Sequence, residues 1–119
     1  MELEGQILAK ENPLSHYKWG NNCDGWNLVS KPEVAIKQEL MPPKTSEKLH
    51  FHTYAEQFFF ILKGEATFLI EGESLKMESN KGLQIKAGQK HKIMNLSVED
   101  LEFILFSYPS TENDRTDCE

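Results

Sequence analysis

From about Trp26 onward, apolar and polar side chains alternate with a period of two. In residues 34–41, Val34, Ile36, Gln38 and Leu40 fall on one side, and Ala35, Lys37, Glu39 and Met41 on the other, as in a half-buried strand. Pro42-Pro43 ends that strand, because proline has no N–H to give to a ladder. Further strands are predicted over 48–54, 57–63, 66–71, 75–78, 83–86, 91–96 and 101–108. They are separated by Gly64, Glu71-Gly72-Glu73, Ser79-Asn80-Lys81-Gly82 and Ala87-Gly88-Gln89-Lys90, all turn-forming stretches. No long apolar stretch repeats at i, i+3 and i+4, so helix is limited to a turn or two near the N-terminus. About eight short strands at this spacing imply an all-β sandwich or barrel.

The ends read differently. His16–Trp26 places two tryptophans, Trp19 and Trp26, around a Gly/Asn/Asp cluster. Residues 1–25 are therefore expected to form a short irregular extension closing over a core of residues 34–108. The polar stretch 109–119 is expected to be a tail, ordered at first and fraying outward, and not a domain.

The chain has 119 residues and a formal net charge of −6, within the size of one domain, taken as 1–119. Its 12 lysines are spread along the sequence with a single arginine, Arg115, which argues against a nucleic-acid partner. The longest apolar run, Phe58 to Leu62, is far short of the roughly 20 residues of a bilayer span. The start MELEGQILAKENP has no basic region followed by an apolar one, so no export signal is expected. Cys23 and Cys118 make no disulfide framework, and a reducing cytoplasm is the expected location.

His50-Phe51-His52 carries the chemistry. On a strand the two imidazoles share a face, with Cα atoms roughly 6–7 Å apart, close enough for both rings to reach one metal ion. His91, on a later strand, offers a third nitrogen ligand suited to Zn, Fe, Ni, Cu or Mn.

Read with their flanks, His50-x-His52 followed by Gly64, and Gly88-x-x-His91-x-x-x-Asn95, resemble the two motifs of the cupin superfamily. The likeness covers about residues 34–108. It is strongest to small single-domain cupins of the type-2 conserved-barrel group, where an aromatic run such as Gln57 to Phe60 leads into Leu62-Lys63-Gly64-Glu65. It implies a jelly-roll barrel in which the paired histidines, the later histidine and a glutamate hold one divalent metal ion. In the family three or four residues separate the second histidine from the glutamate, which lies seven positions before the glycine. Counting back from Gly64 puts that position at Gln57, so the expected ligands are His50, His52, Gln57 and His91. Glu56 is the alternative, and needs a bulge or shifted turn before Gly64. Lys86 and Asn80 replace the family's Pro and Gly at turn positions.

Other candidates are weaker in pattern. Gln38, a polar amide on an apolar face, is expected in a ligand pocket with Phe59 and Ile93. Tyr54 and Glu56 are candidates for proton transfer. Lys86, Lys90 and Lys92 read as a solvated strand face, Asn95 as a hydrogen-bonding residue fixing a turn, and His16 as exposed. Phe58 to Leu62 is apolar on both faces, which suggests cover by a second subunit and hence a homodimer. Three functions fit this reading. The first is a mononuclear metal-dependent enzyme, dioxygenase- or isomerase-like, acting on a small polar molecule. The second is a module that binds or senses a sugar- or acid-like ligand, and the third is a metal-free scaffold barrel.

Overall fold

A computed structural model of the protein describes residues 5–119; the first four residues of the expected N-terminal extension lie outside that range. Among the described residues twelve strands run in order: β1 Ser15–Trp19, β2 Cys23–Ser30, β3 Ala35–Met41, β4 Thr45–Ser46, β5 His50–Phe51, β6 Glu56–Lys63, β7 Ala66–Ile70, β8 Glu73–Met77, β9 Gly82–Ile85, β10 His91–Asn95, β11 Leu101–Tyr108 and β12 Thr116–Asp117. They form two antiparallel sheets, ordered β1-β2-β3-β11-β6-β9 and β12-β5-β10-β7-β8, with β4 also pairing with β10. No helix occurs among the described residues, so none is long and apolar enough to cross a membrane.

The inner faces of the two sheets meet in one core. Met41, Phe59, Ile61, Leu101 and Phe103 come from one sheet, and Phe68, Met77 and Ile93 from the other. Phe59 packs edge-on against Phe68 across the interior, with ring centroids 5.1 Å apart. In β6 the alternation is regular: Gln57, Phe59 and Ile61 are buried, while Glu56, Phe58 and Phe60 face outward. A register shift against β11 leaves Leu62 as an extra residue. This bulge lies beyond the site and does not turn Glu56 inward. Gly64 ends the strand at φ 87°, where a Cβ would sit 2.5 Å from the Asp100 carbonyl oxygen.

Eight strands coincide in place with those read from the sequence, and β1, β2, β4 and β12 are additional. The expected irregular extension is a hairpin in its second half. β1 and β2 pair from Ser15↔Asn27 to Trp19↔Cys23, and β2 continues the sheet onto β3. The Gly/Asn cluster is only its turn, with Gly20 at φ 51° and Asn22 at φ 61°. The tail does not simply fray, since β12 pairs with β5.

The face assignment of β3 reverses. Ala35, Glu39 and Met41 point into the barrel, while Ile36, Gln38 and Leu40 face outward and are half-buried. The outward face of this sheet is itself apolar, through Phe58, Phe60, Ile104 and Phe106, so alternation reveals the two faces without saying which one is inside.

Candidate metal centre

His50 on β5 stands opposite His91 at the start of β10, and His52 follows on the loop between β5 and β6. The three rings are 2%, 4% and 1% exposed, in that order of residue 50, 52 and 91. One ligand atom from each lies within 4.8 Å of the others.

Each ring is fixed by a main-chain carbonyl. Nδ1 of His50 donates to Lys48 O at 2.7 Å, that of His52 to Asp114 O at 2.5 Å, and that of His91 to Gln89 O at 2.8 Å. A carbonyl only accepts, so each Nδ1 carries the hydrogen and each Nε2 presents a lone pair inward. Burial is the main reason that the imidazolium forms are disfavoured. It lowers His50 to about 3 and His91 to about 4, and lowers His52 as well; Arg115 adds to the effect at all three, and neighbouring rings add to it at His50 and His91.

Gln57 completes the cluster. Its Nε2 donates to Ser107 Oγ at 3.1 Å, and its Oε1 lies 3.2 Å from His91 Nε2, one acceptor facing another. His52 Nε2 is buried and has no partner. Inward-facing lone pairs, a carbonyl oxygen and an orphaned nitrogen form a donor set for a cation, and the imidazoles resist taking a proton in its place. The residues therefore fit a divalent ion bound by His50, His52, His91 and Gln57.

His50, His52 and Gln57 open onto a cavity of about 190 Å³. Phe59 and Ile93 line it, together with residues for which the strand pattern gave no pocket role: Tyr17, Trp19, Lys37, Glu39, Glu47, Thr111 and Arg115. Glu39 is 8% exposed, and its Oε2 accepts a hydrogen bond from the Tyr17 hydroxyl. Burial raises the Glu39 carboxyl despite that bond, and burial together with Glu39 keeps the Tyr17 phenol protonated. Tyr17 reaches inward because β2 has Gly25 beneath it; a Cβ there would meet the Tyr17 ring at 2.1 Å. Glu47 accepts the Ile93 N–H at 3.0 Å, and burial pushes its carboxyl up to about 8.

Three candidates fall elsewhere. Gln38 is on the outer face of β3, and the pocket position expected for it is taken by Lys37 and Glu39. Glu56 faces outward and accepts from Gln84 Nε2 at 3.1 Å, away from the histidines. Tyr54 is 75% exposed on its loop. Asn95 is fully buried and its amide donates to Met41 O and Glu99 O, fixing the turn before β11. The signal for Glu39 lay in its own strand, as a charged residue alternating with Ala35 and Met41. Tyr17 carried no local signal, and nothing in the strand pattern gave Arg115 a place in the pocket.

The sequence profile described as "Cupin domain" matches residues 37–107, more than half of the chain. The chain belongs to the cupin family. An oxalate-binding protein of Thermotoga maritima is 30% identical over 83 residues, which cover 66% of this chain and 69% of that protein. Polyketide synthase CurC of Streptomyces cyaneus is 24% identical over 70 residues, covering 59% of this chain and only 46% of that protein. Among solved structures, a predicted oxalate decarboxylase from Thermotoga maritima superposes with a TM-score of 0.80 at 21% identity, covering 88% of this chain and all of that one. The polyketide cyclase RemF from Streptomyces resistomycificus superposes with a TM-score of 0.79 at 11% identity, covering 97% and 86%. These structural likenesses establish the cupin fold. Tyr17, Trp19, Thr111 and Arg115 lie outside the matched segment, so this chain's own flanks supply part of the cavity wall.

Proposed function

We propose that this cupin is a mononuclear metal enzyme that moves a proton on a small carbonyl compound, in the manner of an isomerase or cyclase. The observation that carries the reading is the inward convergence of three imidazole nitrogens, one of them buried with no partner. A divalent ion held by His50, His52, His91 and Gln57 would supply Lewis acidity toward a carbonyl or enolate oxygen. The cavity is smaller than the roughly 300–1,000 Å³ that takes a drug-sized ligand, which favours a small substrate.

The chain's own groups divide the remaining work. Glu39, whose carboxyl burial shifts upward, lies inside the same cavity and is the acid–base candidate, with the Tyr17 hydroxyl fixing its orientation. Lys37 and Arg115 offer positive charge to an anionic oxygen of the substrate. Trp19, Phe59 and Ile93 give apolar walls that limit water. The names of relatives, oxalate-binding protein and polyketide cyclase among them, describe ligands rich in carbonyl and carboxyl oxygen, in keeping with this class.

Binding without turnover is the second reading, favoured by Gln57. A neutral amide oxygen leaves the charge of a divalent ion uncompensated, which lowers affinity and suits a reversible sensor. A homodimer through the half-buried outer face of Phe58, Phe60, Ile104 and Phe106, in a reducing cytoplasm, completes the proposal. The free thiols of Cys23 and Cys118 agree with that location.

Elemental analysis of natively purified protein tests the centre, with about one divalent ion per chain expected; none, even after reconstitution, would remove the enzyme reading. Incubating the loaded protein in D₂O with a panel of hydroxy-carbonyl and keto-acid compounds then separates the two readings. Deuterium at the carbon next to the carbonyl, lost in Glu39→Gln, supports turnover. Ligand-induced stabilisation without deuterium incorporation supports binding alone.

A further inference from the structure

Two of the three histidines are oriented by the backbone that immediately precedes them. Nδ1 of His50 and of His91 each donates to the carbonyl two residues upstream, Lys48 and Gln89. His52 differs, because its acceptor is Asp114 O, 62 residues further along the chain. The same residue grips the loop that carries His52. Asp114 Oδ1 accepts the N–H of Thr53 at 2.7 Å, and Oδ2 accepts those of Tyr54 and Ala55, both at 3.0 Å. Three successive amides thus converge on one carboxylate. The chain beyond Asp114 continues the clamp: Thr116 and Asp117 pair with Phe51 and His50, and Cys118 N donates to Leu49 O at 2.8 Å.

We infer that Asp114 is a positioning residue of the metal centre: its carbonyl selects the His52 tautomer and ring direction, while its carboxylate holds the 53–55 backbone that presents the ring. This deepens the metal-enzyme reading and rests on it. The residue lies in the C-terminal strap, outside the segment matched by the family profile. His52 is also the ring whose inward nitrogen has no partner, so the ligand least constrained by its own strand depends on the strap. Asparagine cannot replace the aspartate. It would keep the acceptor for Thr53 but turn an NH₂ donor toward the N–H groups of Tyr54 and Ala55.

The experiment compares the wild type with Asp114→Asn, using Glu112→Ala as a control on the same strap and Asp114→Ala as a second variant in case the first does not fold. Co(II) titration followed by visible absorption and chelator competition reads the centre. Long-range ¹H–¹⁵N correlation of the metal-free protein reads the imidazole tautomers. The substitution frees the 53–55 backbone from the Asp114 side chain and so loosens the His52–Asp114 O bond; loss of such an outer partner of a metal-ligating histidine weakens metal binding about 10- to 100-fold, and a loss of Co(II) affinity within that range is expected here. In the metal-free variant His52 should no longer show a single Nδ1–H tautomer, while His50 and His91 keep theirs. Unchanged affinity with an unchanged His52 spectrum overturns the proposal. So does weaker binding in which all three rings change together with a drop in melting temperature, the mark of a merely structural anchor. Should the wild type bind no Co(II), the metal reading fails, and the tautomer measurement still decides what Asp114 does.

Discussion

His50 and His91 face each other across the β5–β10 ladder with ring centroids 4.4 Å apart, both Nδ1 atoms committed to main-chain carbonyls. Directly opposed cross-strand residues feel each other strongly, and two imidazolium ions at this separation would repel. The pair is therefore built to stay neutral, the form in which imidazole ligates a metal.

Stability of the metal-free protein should peak near pH 6.5. Below that value the unfolded chain binds protons that the buried His50, His52 and His91 refuse, so stability falls as pH drops toward the folded values of about 4 for His91 and 3 for His50. Above it, folded Glu47 keeps its proton up to about pH 8 whereas the unfolded carboxyl releases it near 4.5, so stability falls as pH rises. Between 4.5 and 6.5 the three imidazoles outweigh the raised Glu39 and Glu47. Each mismatched group contributes at most about 1.4 kcal/mol per pH unit. Urea midpoints from pH 4 to 9 measure the curve, and Glu47→Gln should flatten its alkaline side.

His52→Ala should abolish stoichiometric metal while the far-ultraviolet circular dichroism stays that of a β protein. The side chain removed leaves the core of Phe59, Phe68 and Phe103 untouched. Metal content per chain is the measurement, and a folded variant with full content would sink the ligand assignment.

Gln57→Glu should tighten the ion by about tenfold or more, worth ~1.4 kcal/mol, because an inward carboxylate adds a compensating charge. Glu56→Ala should leave affinity unchanged, since that carboxylate bonds Gln84 on the outer face. Isothermal titration of both variants decides between the neighbours; loss of metal in Glu56→Ala would reverse their assignment.

Gly25→Ala should destabilise the protein by about 1–3 kcal/mol, the usual range for overpacking. The added methyl would occupy the space of the Tyr17 ring and push its hydroxyl off Glu39. Chemical denaturation reads the loss, and Tyr17→Ala in the same background should recover part of it if the clash is with that ring.

Features that depend on neighbours along the chain were legible before any folding was considered. Period-two alternation and turn residues suffice for eight of the strands, and the spacing of His50, His52, Gly64, Gly88 and His91 suffices for the cupin family. Side chains two apart on a strand share a face whatever packs upon it, so Gln57 with Phe59 and Ile61, or Glu39 with Met41, are sets that any partner must bury or expose together. Which set of β3 lies inside is a different matter. Both of its faces carry apolar residues, and only the opposing sheet decides that Glu39, not Gln38, meets the cavity. The tertiary structure alone brought Tyr17 across β2 to Glu39 and carried Asp114 back over 62 residues to His52. Contacts between segments so distant leave no period in the sequence, because each partner is an ordinary polar residue until the barrel closes around it.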